Sequence, residues 1–228
     1  MTCSLYLVIE TPRAGAFDLL QSATSDDDAP PAFYFHASKL NNPKKSGTWK
    51  FDSEIVRMHF EDTKPQETHE KIIFLSNNLG IADQIEGCLE TIRENDSLVM
   101  ARVLTFIDSE ILHHTPPDFQ DWIDAVAHFT DSMLFVHRSN NNASAIQQLI
   151  DRYTNMRYPM ETFILGKKNN PWTRILDPTP RRLSHVFDPV ELLEDEDLPE
   201  HDRYLSRLAS GEYKQKVPLP FLNDHISF

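Results

Sequence analysis

Short apolar runs alternate along the chain with stretches in which apolar residues recur at helical spacing. Short apolar runs between turn-forming segments are typical of buried strands, and a repeat of about 3.6 residues is typical of a helix with one buried face. These runs predict strands at residues 5–9, 33–36, 54–60, 71–75, 98–107, 133–136 and 162–165. The helical spacing predicts helices at residues 14–23, 82–94, 119–129 and 143–153.

The order of these elements predicts the fold class. Strands separated by helical segments favour parallel pairing through right-handed crossovers. We therefore expect an α/β fold, a doubly wound and mostly parallel sheet with helices on both faces. Residues 54–60 alternate in apolar character, as expected of an edge strand with one exposed face.

After residue 165 the pattern changes, and we predict two parts of the chain: an α/β domain at residues 1–166 and a C-terminal extension at residues 167–228 that packs on it. Residues 167–180 are rich in Asn, Pro and Thr and predict an ordered loop. The spacing favours further helices near residues 190–193 and 201–209, and residues 41–47 predict a turn.

Composition excludes several functions. The chain has 228 residues and a formal charge of −13, which repels a phosphate backbone, so we expect no nucleic-acid partner. Much of this charge lies in residues 188–202, which contain no Lys or Arg. No apolar segment is long enough to cross a bilayer, so we expect no membrane partner. Cys3 and Cys88 lack any paired spacing, which favours a reducing compartment, and we predict the cytoplasm.

The first strand and helix, LYLVIETPRAGAFDLL at residues 5–20, are laid out like a nucleotide-binding P-loop. A working P-loop has the form GxxxxGK followed by Ser or Thr, in which backbone amides and the lysine bind phosphates and the hydroxyl binds magnesium. Here those positions hold Glu10, Gly15, Ala16 and Phe17. The groups that bind phosphate and magnesium are therefore missing.

Residues 5–165 as a whole resemble the CobW-type metallochaperone GTPases. The family's AGKTTLL aligns without a gap on AGAFDLL at residues 14–20, and its E-x-x-G-L-A-D-P resembles NNLGIADQ at residues 77–84. Its V-V-D-A resembles FIDS at residues 106–109. Its guanine-reading NKxD resembles HRSN at residues 137–140, which follows a strand as in the family.

The resemblance implies descent from a metal-handling GTPase, but each position that carries chemistry is altered. Ala16 replaces the lysine, Phe17 the magnesium ligand, and Asn77 the acidic residue of the second loop. Asn140 replaces the aspartate that would accept two hydrogen bonds from guanine. The family's CxCC-type metal motif is also missing. We therefore expect a non-hydrolysing pseudo-GTPase with no catalytic residues and no cofactor.

A remnant of the nucleotide site is the alternative hypothesis. In it the chain remains a metallochaperone that binds GTP with magnesium, or zinc, through substituted residues, with Arg13 partly replacing the missing lysine. Gly15 and Gly80 would then line a crevice, although both also suit turns that need backbone freedom. The candidate remnant comprises Arg13, Gly15, Ala16, Asn77, Gly80, Asp83, His137, Arg138 and Asn140.

Histidines and a carboxylate near two strand ends form a further candidate, a metal site. Its members are Asp108, His113, His114 and His137, residue types that bind transition metals. They lack a characteristic metal-binding spacing, and exposed loop histidines are the competing interpretation.

The C-terminal extension is the candidate docking element. Residues 188–202 combine eight carboxylates with leucines, and the chain ends in the proline-containing VPLPFLNDHISF. Acidic segments bind basic partners, and extended proline-containing segments fit grooves or sheet edges. We expect a protein partner through residues 188–228, with packing across the chain's own domain as the alternative. The sequence leaves the oligomeric state and the partner's identity open.

Overall fold

The computed structural model describes residues 2–25, 29–38, 46–63, 68–168 and 170–222. The strands are β1 (Cys3–Glu10), β2 (Ala32–His36), β3 (Gly47–Asp52), β4 (Arg57–Asp62), β5 (Glu70–Phe74), β6 (Leu98–Asp108), β7 (Ser132–Val136) and β8 (Glu161–Ile164). The helices are α1 (Ala16–Ala23), α2 (Ile81–Arg93), α3 (Phe119–Phe129), α4 (Ala143–Asn155) and the single turn α5 (Trp172–Ile175).

The strands form one sheet in the order β4-β3-β2-β5-β1-β6-β7-β8. All neighbours pair in parallel except β3 and β4. This confirms the predicted doubly wound α/β class. β1 lies in the centre, between β5 and β6, so the loop that follows it lies at the middle of the sheet's carboxyl edge.

Two apolar layers hold the helices against the sheet. Leu5, Leu7 and Ile9 of β1 face the layer that also contains the buried sides of α2, α3 and α4. Tyr6 and Val8 face the opposite layer, against α1 and α5. Because β1 is buried on both faces, its sequence is a continuous apolar run, as is typical of parallel strands.

The hairpin of β3 and β4 differs from the prediction. β4 is an edge strand, as expected, but it begins at Arg57 because Val56 takes a left-handed conformation with φ 48° in the preceding turn. β3 was not predicted. It begins at Gly47, where a Cβ would lie 2.5 Å from the ring of Tyr34, so only glycine permits this approach of strand and ring. Residues 41–45 of the predicted turn lie outside the described residues.

The prediction of a helix at residues 201–209 is wrong, because this segment forms turns. Asp202 Oδ1 accepts hydrogen bonds from the backbone N–H groups of Tyr204 and Leu205. Such local side-chain bonds compete with a helix. Near residues 190–193 the structure has only short 3-10 turns, at Val190–Leu192 and Asp195–Asp197. No helix in the described ranges is long and apolar enough to cross a membrane.

A buried ion pair joins the C-terminal extension to the sheet. Arg182, with 2% of its side chain exposed, donates to Asp131 Oδ2 at 3.1 Å and to Asp188 Oδ1 at 2.8 Å. Asp131 is fully buried and also accepts the Val103 N–H at 2.7 Å. The extension therefore satisfies charged groups inside the domain.

A second pair holds the extension on α3. Asp202 Oδ2 lies 2.8 Å from His128 Nε2 and accepts the Ser184 hydroxyl at 2.7 Å. Burial raises the pKa of Asp202, but the hydrogen bond and charge of His128, with Ser184, outweigh it and place the pKa below its ordinary value of 3.8. Further along, Phe221 packs edge-on against Trp122, with ring centroids 5.0 Å apart.

Replacing Asp131→Ala tests the first pair. The substitution removes the fully buried partner of Arg182 and leaves this buried guanidinium incompletely paired, which costs about 3–5 kcal/mol of unfolding free energy. Urea unfolding at equilibrium measures the change. Glu90→Ala is the control, since it removes the exposed pair with Arg93 and changes the free energy by less than about 1 kcal/mol. Equal effects of the two substitutions would contradict this assignment.

The Asp202 pair predicts a dependence of stability on acid. Because the folded-state pKa of Asp202 is lowered, its contribution is complete above the ordinary value and is lost as pH falls through the lowered pKa. Below about pH 4 the unfolding free energy of the native protein should therefore fall more steeply than that of Asp202→Asn. Urea unfolding across this range tests it, with the exposed Asp96→Asn as control. Parallel curves for all three proteins would show that the pair contributes nothing.

Candidate functional site

The carboxyl ends of β1, β5, β6 and β7 meet at one edge of the sheet, because these strands run parallel. Open α/β sheets bind ligands outside this edge. The sequence places most of the candidate residues in the loops that leave these strand ends. The structure shows how far they come together.

The loop between β1 and α1 carries its own anion. Gly15 takes a left-handed conformation, φ 67°, and precedes α1 without a side-chain cap. The N–H of the buried Ala16 donates to Glu10 Oε2 at 3.2 Å. An N–H at the start of a helix is a natural site for an anion. In this loop the carboxylate of Glu10 takes that place.

Phe17 stands where the resemblance places the magnesium ligand, and it is part of an apolar cluster. Its ring packs edge-on against Phe33, Phe35 and Phe74, at centroid distances of 5.2, 5.4 and 6.2 Å. An aromatic ring offers no oxygen to a hard cation. The side chain therefore stabilises the contact between α1 and the sheet.

The loop after β5 is tied to the loop after β1. The amide of Asn77 donates to the backbone oxygen of Glu10 at 3.0 Å. Gly80 precedes α2, and Asp83 lies in the first turn of that helix. A Cβ on residue 80 would lie 2.4 Å from Asp83 Oδ2, so the carboxylate lies directly against the Gly80 backbone. Asn77 thus joins two strand ends, whereas Asp83 belongs to the start of α2.

Asp108, at the end of β6, contacts two other candidate residues, Arg13 and His137. It is 2% exposed, and its carboxylate lies 3.5 Å from Arg13 Nε and 3.0 Å from His137 Nδ1. Arg13 and His137 both have left-handed backbones, with φ of 66° and 54°. Strained conformations of this kind cluster where the surrounding structure fixes a side chain. Arg13 is thereby paired with Asp108 within the loop.

Asn142, which the sequence analysis missed, organises the loop after β7. It is fully buried, and its amide donates to Glu110 Oε1 at 2.9 Å and to the backbone oxygen of His137 at 3.0 Å. Its oxygen accepts the Ser139 N–H at 2.7 Å. Asn142 directly precedes α4, but its side chain makes no capping hydrogen bond to that helix, so the preference of Asn for helix N-caps does not signal this role.

Other candidates lie apart from this network. Arg138 and Asn140, in the segment that resembles the base-reading loop, are exposed. His113 and His114 are exposed at the end of a 3-10 turn, so the structure joins only Asp108 and His137 of the four candidate metal ligands. In the part of the chain that the structure describes, no three His, Cys, Asp or Glu side chains are placed to hold a metal ion. The candidate metal set is therefore not assembled.

Comparison with known proteins finds similarity of fold. No protein-family model matches the chain, and no curated protein matches it in sequence. Among solved structures, a Zn(II)-bound triple mutant of the YjiA GTPase matches 87% of the chain with a TM-score of 0.54 and 9% identity. The Zn(II)-bound YjiA GTPase from E. coli matches 82% with a TM-score of 0.52 and 8% identity. The chain spans 65% of the length of each. At this level of identity the matches show that the chain shares the fold of these GTPase structures, and nothing finer.

Proposed function

We propose that this chain is a non-hydrolysing relative of the CobW-type P-loop GTPases and that it acts as a protein-interaction or regulatory scaffold. The observation that carries the proposal is the hydrogen bond from the Ala16 N–H to the carboxylate of Glu10. A P-loop needs this N–H for phosphate. Here the chain supplies its own negative charge to the same donor.

The negative charge of Glu10 at this position repels the phosphate groups of a nucleotide. Each unit of like charge about 4 Å from a carboxylate costs about 4 kcal/mol at an effective dielectric constant of about 20. The lysine that would offset such repulsion is replaced by Ala16. Arg13 is a weak replacement, since its guanidinium lies against Asp108 and its side chain is 59% exposed. These contacts support loss of tight triphosphate binding.

The magnesium position supports the same proposal. Phosphoryl transfer in P-loop enzymes uses magnesium held by the loop hydroxyl. Phe17 provides no ligand, and its contacts with Phe33, Phe35 and Phe74 hold its ring in the apolar layer. Rotating this side chain away would expose its ring, so a water or a metal does not replace it at low cost.

One observation favours a second candidate, a metallochaperone that binds GTP or zinc through substituted residues. Asp108 holds His137 Nδ1, which leaves the other ring nitrogen of an exposed imidazole to bind a metal. This arrangement offers one nitrogen ligand, and a stable zinc site needs about four ligands in all. Other protein side chains or a partner would have to supply the rest.

The partner surface of the scaffold is proposed on the extension, within residues 188–228. Leu192 is 72% exposed in the acidic segment, with the exposed carboxylates of Glu191, Glu194 and Glu196 around it in sequence. An exposed apolar side chain among carboxylates suits a basic partner with an apolar contact. A cytoplasmic location remains a prediction of the sequence.

GTP binding tests the proposal directly. We expect no rise in the thermal midpoint of unfolding when GTP and magnesium are added to the native protein, because both binding groups are replaced. A ligand at 100 times its dissociation constant stabilises the folded state by about 2.7 kcal/mol, so micromolar binding would be readily seen. A functional P-loop GTPase serves as positive control. Saturable binding with hydrolysis would overturn the proposal, and binding of zinc alone would favour the second candidate.

The role of Glu10 has its own test. Replacing Glu10→Ala removes the carboxylate from the Ala16 N–H, and phosphate should then stabilise this variant more than the native protein. Thermal unfolding in phosphate, compared with chloride at equal ionic strength, measures the difference. Glu10→Gln is the matched control, since it keeps an oxygen acceptor without the charge and should respond to phosphate less than the alanine variant. If all three proteins respond alike, Glu10 does not occupy the anion position.

A further inference from the structure

A cavity of about 400 Å³ lies between the first turn of α2 and the C-terminal extension. Gly80, Ile81, Ala82 and Asp83 line it on the helix side, and the other wall comes from residues 207–217. Its volume falls within the range of about 300–1,000 Å³ typical of ligand pockets. Its lining residues do not include Glu10, Ala16 or Asn77.

Arg207 builds the wall on the extension side. Its guanidinium donates to both carboxylate oxygens of Glu86, to the backbone oxygen of Gly211 and to the hydroxyl of Tyr213. It also lies 3.9 Å from the centroid of the Tyr213 ring. The Tyr213 hydroxyl in turn donates to Glu86 Oε2 at 2.7 Å. These contacts of Arg207 hold Tyr213 in place.

Once the ion pairs in the cavity wall are counted, the charge left in the lining is the carboxylate of Asp83. Lys216 lies 3.6 Å from Glu212, and Arg207 is paired with Glu86, so both basic lining residues have acidic partners. Asp83 lines the cavity and joins no hydrogen bond or close ion pair in the part of the chain that the structure describes, although its charge also helps to raise the pKa of Arg207. The pKa of Tyr213 is raised by burial first, then by its hydrogen bond to Glu86 and by the nearby charge of Asp83. Asp83 is therefore the carboxylate open to a ligand.

We propose that this cavity binds an arginine side chain of the protein partner. The hydrocarbon stem would contact Ile81, Ala82 and Val217, which are apolar, and the guanidinium would reach Asp83. A planar guanidinium matches a carboxylate with two parallel hydrogen bonds. The net charge of −13 favours approach of a basic partner over an acidic one. The inference names the recognised group of the partner and so rests on the proposed function.

Small probes with a common backbone test this recognition. N-acetyl-arginine amide, N-acetyl-norleucine amide and N-acetyl-glutamate amide differ in side-chain charge on similar hydrocarbon stems. For ligands of this size we expect a dissociation constant on the order of 1 mM for the arginine probe. Titration followed by backbone NMR should shift the amide signals of Gly80–Asp83 with the arginine probe, weakly with norleucine and least with glutamate.

Variants of the full chain connect binding to Asp83. Asp83→Asn should weaken the arginine probe about fivefold. Asp83→Lys should reverse the preference toward the glutamate probe. Asp96→Asn, in the turn between α2 and β6 and with the same change of charge, should bind the arginine probe like the native protein. The thermal midpoint of each variant checks that it remains folded.

The outcomes separate this inference from the proposed function. Stronger binding of the glutamate or norleucine probe, or no localised shifts with any probe, would overturn the arginine assignment without affecting the absence of GTP binding. Unchanged affinity in Asp83→Asn would also overturn it. GTP binding in the earlier experiment would overturn the scaffold proposal and leave the probe titration valid.

Discussion

Polar groups at the carboxyl edge of the sheet constrain this molecule more than any other feature. Parallel strands that end together, next to helices that begin together, leave N–H groups, carbonyl groups and carboxylates that need partners. Here the chain pairs many of them internally: Glu10 with the Ala16 N–H, Asn77 with the Glu10 carbonyl, and Asp108 with Arg13 and His137. A site whose polar groups are already paired must lose those contacts before it binds anything else.

The extension beyond residue 166 is bound to the rest by buried charge. Arg102, fully buried on β6, donates to Glu161 at 2.6 Å and to the backbone oxygens of Arg174 and Asp177. Arg182 reaches back to Asp131 from the extension. Since an incompletely paired buried charge is costly, the extension adds hydrogen bonds to Arg102 beyond its pair with Glu161 and supplies the ion-pair partner of Asp131. The two parts predicted from the sequence are therefore stabilised together.

The sequence predicted the sheet and its main helices because apolar periodicity reports burial directly. α3 was predicted at its observed bounds, and β1, β5, β6 and β7 were predicted within a few residues. The prediction failed at β3, where apolar alternation is limited to Trp49 and Phe51 on either side of the exposed Lys50, and at residues 201–209, where Asp202 stabilises turns. Both failures come from local contacts that periodicity does not encode.

The candidate site was predictable in its position but only partly in its contacts. Glu10 was recognised as a carboxylate in an anion-binding turn, yet its bond to Ala16 depends on the left-handed Gly15. Asn142 and the cavity beside Asp83 depend on residues far apart in sequence, Glu110 for the first and Tyr213 for the second. Such contacts become visible only when the chain is folded.

The ring of Phe17 also has a consequence for how this protein can evolve. Replacing Phe17 with serine or threonine would remove the edge-on contacts with Phe33, Phe35 and Phe74, and position 16 would still be an alanine rather than a lysine. Neither substitution alone would supply both the lysine and the hydroxyl of a P-loop, and the change at Phe17 lowers stability by leaving a void beside the sheet. A working P-loop at this turn would therefore require several simultaneous changes, and the aromatic cluster makes one of them costly.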